Sequence, residues 1–415
     1  MRDPSNLQVI MLCEFFWPFD RGGSEWSVYH LASSLAKRGH TIYIFTPNYG
    51  AATFQKKDGL TIIRFPFLLK LRKTQQEVTP FWHSNLIWWL LTIFFLFFTC
   101  VKLRPSHIHI QGKYFLPAAI IVGKLLGIPV VTTLRDYIIL CPFAYCINKQ
   151  HAYKACSFLE VVLRDGAAFA LGKHYKGYRE VITSLIAIRG WMVSQVLKFF
   201  LKYSSVVVAI SKKVSLIYEK NGIKVTTVIY NSAPFRTNSF KKPSQYILYV
   251  GRLTSGKGLP LLLDSYHKLQ KKVKLPQLLF VGEGPLQKQI KSQYPTVKLL
   301  GHITHNLLQY YYSHALFLVV SSTWEEPFGR VALESLSYGV PVVVTEVGGL
   351  PEIIKHLKTG IVASPTTSSF SQALQRALMS HKKFRAQIKL QYPQLKYKFE
   401  ERPVTQYETI YRNYL

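Results

Sequence analysis

The chain has 415 residues, too many for one ordinary domain, and its 48% hydrophobic and 18% charged content builds buried cores and excludes disorder. Lys and Arg number 52 against 21 Asp and Glu, a net charge of +31 carried by both halves and not by a basic tail. Such a field draws anionic lipid, nucleic acid or phosphorylated substrates and says nothing about fold, while five cysteines exclude a disulfide framework and fit a reducing compartment.

Short runs rich in Val and Ile alternate with longer helical patterns, the signature of parallel sheets built from βαβ units. The polar first eight residues read as no signal peptide. A strand at 9–15 leads into Phe15-Phe16-Trp17-Pro18 and then Arg21-Gly22-Gly23-Ser24-Glu25. Further strands are expected at 41–46, 60–65, 107–111, 130–134, 206–211 and 227–230.

Between two of these strands lies the apolar segment 86–101, LIWWLLTIFFLFFTCV, somewhat short of the ~20 residues a membrane span needs. A single crossing would leave strands 60–65 and 107–111 of one sheet on opposite sides of the bilayer. The segment, within a helix expected at 81–103, therefore reads as buried or as lying at a membrane interface. Trp88 and Trp89 suit an interface. Lys70, Arg72, Lys73, Lys102, Arg104, Lys173, Lys176 and Arg179 would draw it to an anionic surface.

The strand at 130–134 runs into Arg135 and Asp136, the latter also readable as a simple cap. Cys141, Cys146, His151 and Cys156 then recur every five residues. They make a conceivable zinc set with spacing wider than the usual knuckle, and reduced structural cysteines are the simpler reading.

Residues 231–245, polar and basic with two prolines, read as a linker, after which strands are expected at 246–251, 278–282, 297–300, 316–321, 341–345 and 361–363. The first of these ends in Gly251-Arg252-Leu253, followed by Ser255-Gly256-Lys257-Gly258. Glycines admit a close ligand, and Arg252 with Lys257 at a strand end suits a diphosphate. Val281-Gly282-Glu283-Gly284-Pro285 is a second glycine turn between strand and helix. In Glu325-Glu326-Pro327-Phe328-Gly329-Arg330-Val331-Ala332-Leu333-Glu334 a helix is expected to begin near Phe328. Its unpaired N–H groups would meet the diphosphate, and Glu326 and Glu334, at most ~12 Å apart along the axis, would bracket it. Glu334 then faces ribose hydroxyls and Glu326 sugar hydroxyls.

These pieces together resemble the retaining GT-B glycosyltransferases of family four, with G-R-L…K-G, V-G-x-G-P and E-x7-E signatures, the last met by Glu326 and Glu334. Ala209-Ile210-Ser211, Ile229-Tyr230-Asn231, Gly348-Gly349-Leu350-Pro351-Glu352 and the loop containing Gly22 and Gly23 match as well. The resemblance implies an α/β fold of two Rossmann-like domains facing each other across a cleft. An acceptor-binding domain would occupy 1–235 and a nucleotide-sugar-binding domain 236–402, with a last helix, 403–415, packing back on the first.

It implies transfer of a sugar, with retention, from a nucleotide-diphosphate sugar to an acceptor held by the first domain; the apolar segment 86–101 and its flanking cations add the expectation of a glycan or lipid-linked acceptor at the inner face of the cell membrane. Catalytic roles fall to Glu326, Arg252 and Lys257. Donor contacts fall to Gly22, Gly23, Gly251, Gly282, Gly284, Phe328, Gly329, Arg330 and Glu334. Arg135 and Asp136 lie on the acceptor or sugar side, with Arg135 where many relatives carry His. No Asp-x-Asp occurs, so a metal-free reaction without a cofactor is expected, with cations and helix N–H groups stabilising the leaving group. A sugar-nucleotide epimerase of the same fold is the alternative. A nucleic-acid partner is not expected, for there is no finger spacing, RNA-recognition aromatic signature or single basic stripe.

Overall fold

The computed structural model describes residues 6–19, 22–72, 78, 80–144, 152–161, 178–235, 241, 246–355 and 358–414. Arg21, Lys73, Cys146, His151, Lys173 and Lys176 lie outside them, as does the side chain of Arg179. The chain divides into two compact units, Met1–Tyr230 with Pro403–Leu415, and Asn231–Arg402. The boundary falls at 230/231 and not at 235/236. The start of the expected linker already belongs to the second unit, where Ala233 N bonds Phe399 O at 3.1 Å and Phe235 N bonds Glu400 at 3.0 Å.

In the first unit the strands are β1 Gln8–Leu12, β2 Thr41–Pro47, β3 Phe54–Lys57, β4 Leu60–Phe65, β5 His107–Ile110, β6 Val130–Leu134, β7 Val206–Ala209 and β8 Thr227–Val228. They form one sheet in the order β3-β4-β2-β1-β5-β6-β7-β8. Every neighbour pair is parallel except β3 with β4. From β1 the chain builds outward to one edge and then returns through β5 to build toward the other. The switch point between β1 and β5 opens a crevice at their carboxyl ends, where open α/β sheets bind ligands.

Strand β3 was not foreseen, because Phe54-Gln55-Lys56-Lys57 has no apolar run. Its signal was the turn: Asp58 and Gly59 both take left-handed backbone, φ 51° and 78°, closing a two-residue hairpin.

The core of this unit joins Val9, Met11, Ile42, Ile44 and Val208 of the sheet to Leu31 and Leu35 of helix α1, Gly23–Lys37. Tyr407 and Tyr411 of the terminal helix Arg402–Asn413 complete it. Two buried histidines on β5 fix that helix: His109 bonds Tyr411 Oη at 2.6 Å and Thr133 Oγ1 at 2.8 Å. Tyr407 Oη meets the same threonine at 2.9 Å. Desolvation pushes the His107 imidazole down to about 4 and His109 well below its ordinary value.

Helix α2, Leu86–Leu103, carries the apolar segment and connects β4 to β5 of the same sheet. Asn85 caps it by accepting from Trp88 N at 2.8 Å. Its buried residues are Trp88, Thr92, Leu96 and Cys100, a narrow stripe at four-residue spacing. The expectation that Trp88 anchors an interface is overturned. Trp88 is fully buried, donates through Nε1 to Tyr114 O at 3.2 Å, and packs with His83, Phe67 and Phe115. Trp89 is half-buried beside it. What faces outward instead is Leu86, Ile87, Leu90, Phe94, Phe98 and Val101, each about half exposed or more.

The second unit has β9 Tyr246–Val250, β10 Gln277–Val281, β11 Lys298–Leu299, β12 Phe317–Val320, β13 Val342–Thr345 and β14 Gly360–Ala363. All neighbours are parallel, in the order β11-β10-β9-β12-β13-β14. The chain again reverses its direction of growth, here between β9 and β12. The two loops after those strands, Gly251 to Gly258 and Ser321 to Gly329, therefore flank the switch point.

Candidate active site

In the second unit the residues expected to carry chemistry converge on those loops. Lys257 Nζ donates to Glu326 Oε2 at 2.7 Å, and the same oxygen accepts Ser322 Oγ at 3.0 Å and Trp324 Nε1 at 3.1 Å. Burial alone would push the Glu326 carboxyl up, but Lys257, with the two hydrogen-bond donors, outweighs it and holds the group below its ordinary value. Glu326 is thus an anion with one carboxylate oxygen fully engaged. Arg252 leaves the same loop as Lys257 and is exposed.

The helix following Glu326 is Arg330–Ser337, two residues later than expected, because Gly329 caps it in left-handed backbone, φ 92°. Glu334 therefore stands little more than one turn inside the helix. It accepts from Arg330 Nε at 2.6 Å and Tyr312 Oη at 2.9 Å. Arg330, buried and joined to Glu334, orients that carboxylate more than it presents a cation. The Phe328 side chain is buried beside Phe399, which leaves its backbone as the part that could meet a ligand.

The glycines serve a purpose the sequence did not reveal. A Cβ on Gly282 would sit 2.1 Å from Gly251 O, and one on Gly284 would sit 2.5 Å from Leu253 O. On Gly258 it would sit 1.7 Å from Ser321 O, and on Gly348 2.0 Å from Glu326 O. The loops are laced backbone to backbone, as in Leu253 N to Glu283 O at 2.8 Å and Gly349 N to Glu326 O at 2.7 Å. Glu325, which belongs to no expected role, seals the last loop by accepting Gly348 N at 2.8 Å. These glycines admit neighbouring loops first, and so fix where Lys257 and Glu326 point.

In the first unit, Gly22 is extended with open space at its Cβ position and precedes α1, which starts at Gly23. Beyond it, at the switch point, lies a cavity of about 300 Å³. Ser24 and Glu25 of α1, Glu14 and Phe15 after β1, Gln111, Lys113 and Tyr114 after β5, and Arg135 and Asp136 after β6 line it, with His83. Arg135 Nε donates to Gln111 Oε1 at 2.9 Å. Asp136 pairs with Lys113 at 2.5 Å and accepts Ile138 N at 3.0 Å, a turn contact and not a helix cap.

Glu14 and Lys113 were missed by the sequence reading. Glu14 stands just before the Phe-Phe-Trp-Pro motif, and Lys113 three residues past a strand end, positions whose meaning depends on the sheet order. Cys141 is buried and Cys156 partly buried.

The comparisons with known proteins agree with this architecture. Residues 21–234 match Glycosyltransferase Family 4, and 232–391 match Glycosyl transferases group 1. A human phosphatidylinositol N-acetylglucosaminyltransferase subunit is 25% identical over 394 residues, 90% of this chain and 69% of that protein. An uncharacterised glycosyltransferase of Methanocaldococcus jannaschii is 35% identical over 136 residues, 31% of this chain and 34% of its own length. Among solved structures, the sucrose-phosphate synthase of Thermosynechococcus elongatus superimposes with TM-score 0.68 at 20% identity, covering 98% of both chains. Anabaena HepE in complex with UDP and glucose gives 0.67 at 17%, covering 99% of this chain and 100% of that one. The fold is the two-domain GT-B class.

Proposed function

This chain belongs to Glycosyltransferase Family 4, and from that premise we propose that it moves a sugar, with retention of configuration, from a nucleotide-diphosphate sugar to a glycan or lipid-linked acceptor. The observation that carries the reading is the Lys257–Glu326 pair at 2.7 Å, set at the switch point of the second sheet. Arg252 and the remaining hydrogens of the Lys257 ammonium stabilise the charge that develops on the departing diphosphate, without a metal. Glu326, fixed as an anion, offers its second oxygen to hydroxyls of the transferred sugar. Glu334, held by Arg330 and Tyr312, accepts from the ribose. The leaving phosphate takes the acceptor proton. A diphosphate sugar as donor is also supported by the UDP and glucose bound to HepE.

The same reading places the protein on the cytoplasmic membrane face, lying on the bilayer and not crossing it. Support comes from α2, whose outward Leu90, Phe94 and Phe98 are more than half exposed, and from the helix Tyr178–Leu201, where Leu185, Ile186 and Phe199 are exposed. With α3, Leu116–Leu126, these helices feed the parallel strands β5, β6 and β7, so their carboxyl ends point the same way. Lys102, Arg104, Lys124 and Lys202 stand exposed at that end. Apolar surface rimmed by cations suits an anionic interface. The human relative, whose name pairs phosphatidylinositol with N-acetylglucosamine, favours a lipid-borne acceptor.

The test is a thermal-shift screen with nucleoside diphosphates and nucleotide sugars, followed by nucleotide release with and without candidate acceptors. Donor binding should raise the melting temperature by mass action, and release should require acceptor. Binding without acceptor-dependent release would favour an epimerase; no binding would remove the reading.

A further inference from the structure

The buried polar groups between β5, β6 and the terminal helix Arg402–Asn413 form a continuous network that ends at the first-unit cavity. His109 stands at its centre. Tyr411 Oη meets one ring nitrogen, Nδ1, at 2.6 Å, and Thr133 Oγ1 meets the other, Nε2, at 2.8 Å. Tyr407 Oη lies 2.9 Å from that same threonine. The Gln111 amide nitrogen rests against the ring, 2.9 Å from Nε2 and 3.2 Å from Nδ1. Its carbonyl oxygen accepts from Arg135 through Nε at 2.9 Å and also through Nη2. A guanidinium only donates, so this contact fixes which end of the amide faces His109. Desolvation holds the His109 imidazole well below its ordinary pKa, so the ring is neutral and keeps a lone pair for an N–H. Gln111, Thr133 and Arg135 line the cavity, with His109 and both tyrosines buried behind them.

We infer that the terminal helix positions a residue of the site: Tyr407 and Tyr411 pin the His109 ring, the ring orients the Gln111 amide, and Gln111 aims the Arg135 guanidinium into the cavity. The consequence for turnover rests on the reading that the chain transfers a sugar; the orientation of Arg135 does not. Packing alone does not account for the two hydroxyls. Phenylalanine at 407 and 411 would fill the same core without desolvating an O–H group. The helix also has anchors of its own. Val404 and Ile410 enter the core, and Glu408 pairs with Arg38 at 2.5 Å and His40 at 2.8 Å. A satisfied buried network selects one orientation where an apolar core would permit several. A long arginine side chain samples many rotamers unless a neighbour holds its guanidinium, and aiming it wrongly by ~1 Å slows a reaction it serves.

The experiment is NMR of the full chain with isotope-labelled arginine, in which the Arg135 Nε–Hε signal is identified by its loss in Arg135→Lys. Tyr411→Phe, which removes one hydroxyl and keeps the ring, should move that signal by more than its linewidth, and Gln111→Leu should move it further. With Gln111 gone, adding Tyr411→Phe should change nothing more, because the tyrosine acts through the amide. Ile410→Ala thins the packing of the same helix and keeps every hydroxyl, so it should lower the melting temperature and leave the signal in place. Turnover of the nucleotide sugar selected by thermal shift should follow the signal, falling about tenfold in Gln111→Leu and equally in the double variant. An unmoved signal in Tyr411→Phe overturns the inference, as does a signal that Ile410→Ala moves just as far. Turnover that Tyr411→Phe lowers equally with and without Gln111 overturns it too. Uridine and guanosine diphosphate added to the same samples test the transferase reading separately, through the Arg252 signal. If neither moves it, that reading falls and the positioning of Arg135 stands. If Arg252 responds while Tyr411→Phe leaves Arg135 in place, the reverse holds.

Discussion

Lys257 Nζ and Glu326 Oε2, 2.7 Å apart, tie the loop after β9 to the loop after β12. The two residues therefore act as one unit, and removing either leaves its partner charged and poorly compensated. Lys257→Ala and Arg252→Ala should each lower turnover on the order of 10²-fold, and Glu326→Ala should act mainly on kcat. Lys257→Met combined with Glu326→Gln should be far from additive, with a coupling of about 1–3 kcal/mol in a double-mutant cycle. Additive losses would show that the pair is not the working unit.

Glu334 is held from two sides, by Arg330 and Tyr312. Glu334→Ala should weaken nucleoside diphosphate binding about tenfold or more with a smaller effect on kcat. Tyr312→Phe, which removes one of the two supports, should weaken it less. Isothermal titration with the diphosphate decides; unchanged affinity in Glu334→Ala would refute the ribose assignment.

For the membrane surface, the structure moves the expected effect away from the tryptophan. Replacing Leu90, Phe94 and Phe98 together by Asn should abolish flotation with anionic vesicles and leave the melting temperature nearly unchanged. Trp88→Ala should instead cost about 3–5 kcal/mol of stability, because it empties a core site. A triple variant that still floats at low salt would sink the interfacial reading.

Acid should loosen the first unit through His107 and His109, both neutral in the fold. Their folded values lie below the ordinary 6.5, so the unfolded chain takes up protons first. The stability they support is full above about pH 6.5 and falls as pH drops. For His107 the loss runs down to about 4, by up to about 1.4 kcal/mol per pH unit. Melting temperature followed from pH 7 to 4.5 should fall, and His107→Asn should flatten the slope. An identical slope in that variant would assign the acid sensitivity elsewhere.

The sequence by itself determined the two parallel sheets, because runs such as Val206–Ala209 and Val342–Thr345 are apolar on both faces and recur at βα spacing. It also singled out Lys257 and Glu326, each on a short stretch next to a strand end, which the fold joins in one ion pair. It could not show that Glu14, Lys113 and Asp136 share a cavity. They lie on three segments made neighbours only by the order β1-β5-β6. Nor could it show which side of α2 faces the core. A helix apolar all round has no periodicity to read, and the stripe Trp88, Thr92, Leu96 and Cys100 was selected by the surface it packs on. Local chemistry fixes elements and motifs, whereas burial and the meeting of distant charges depend on which strands become neighbours, and only the folded sheet decides that.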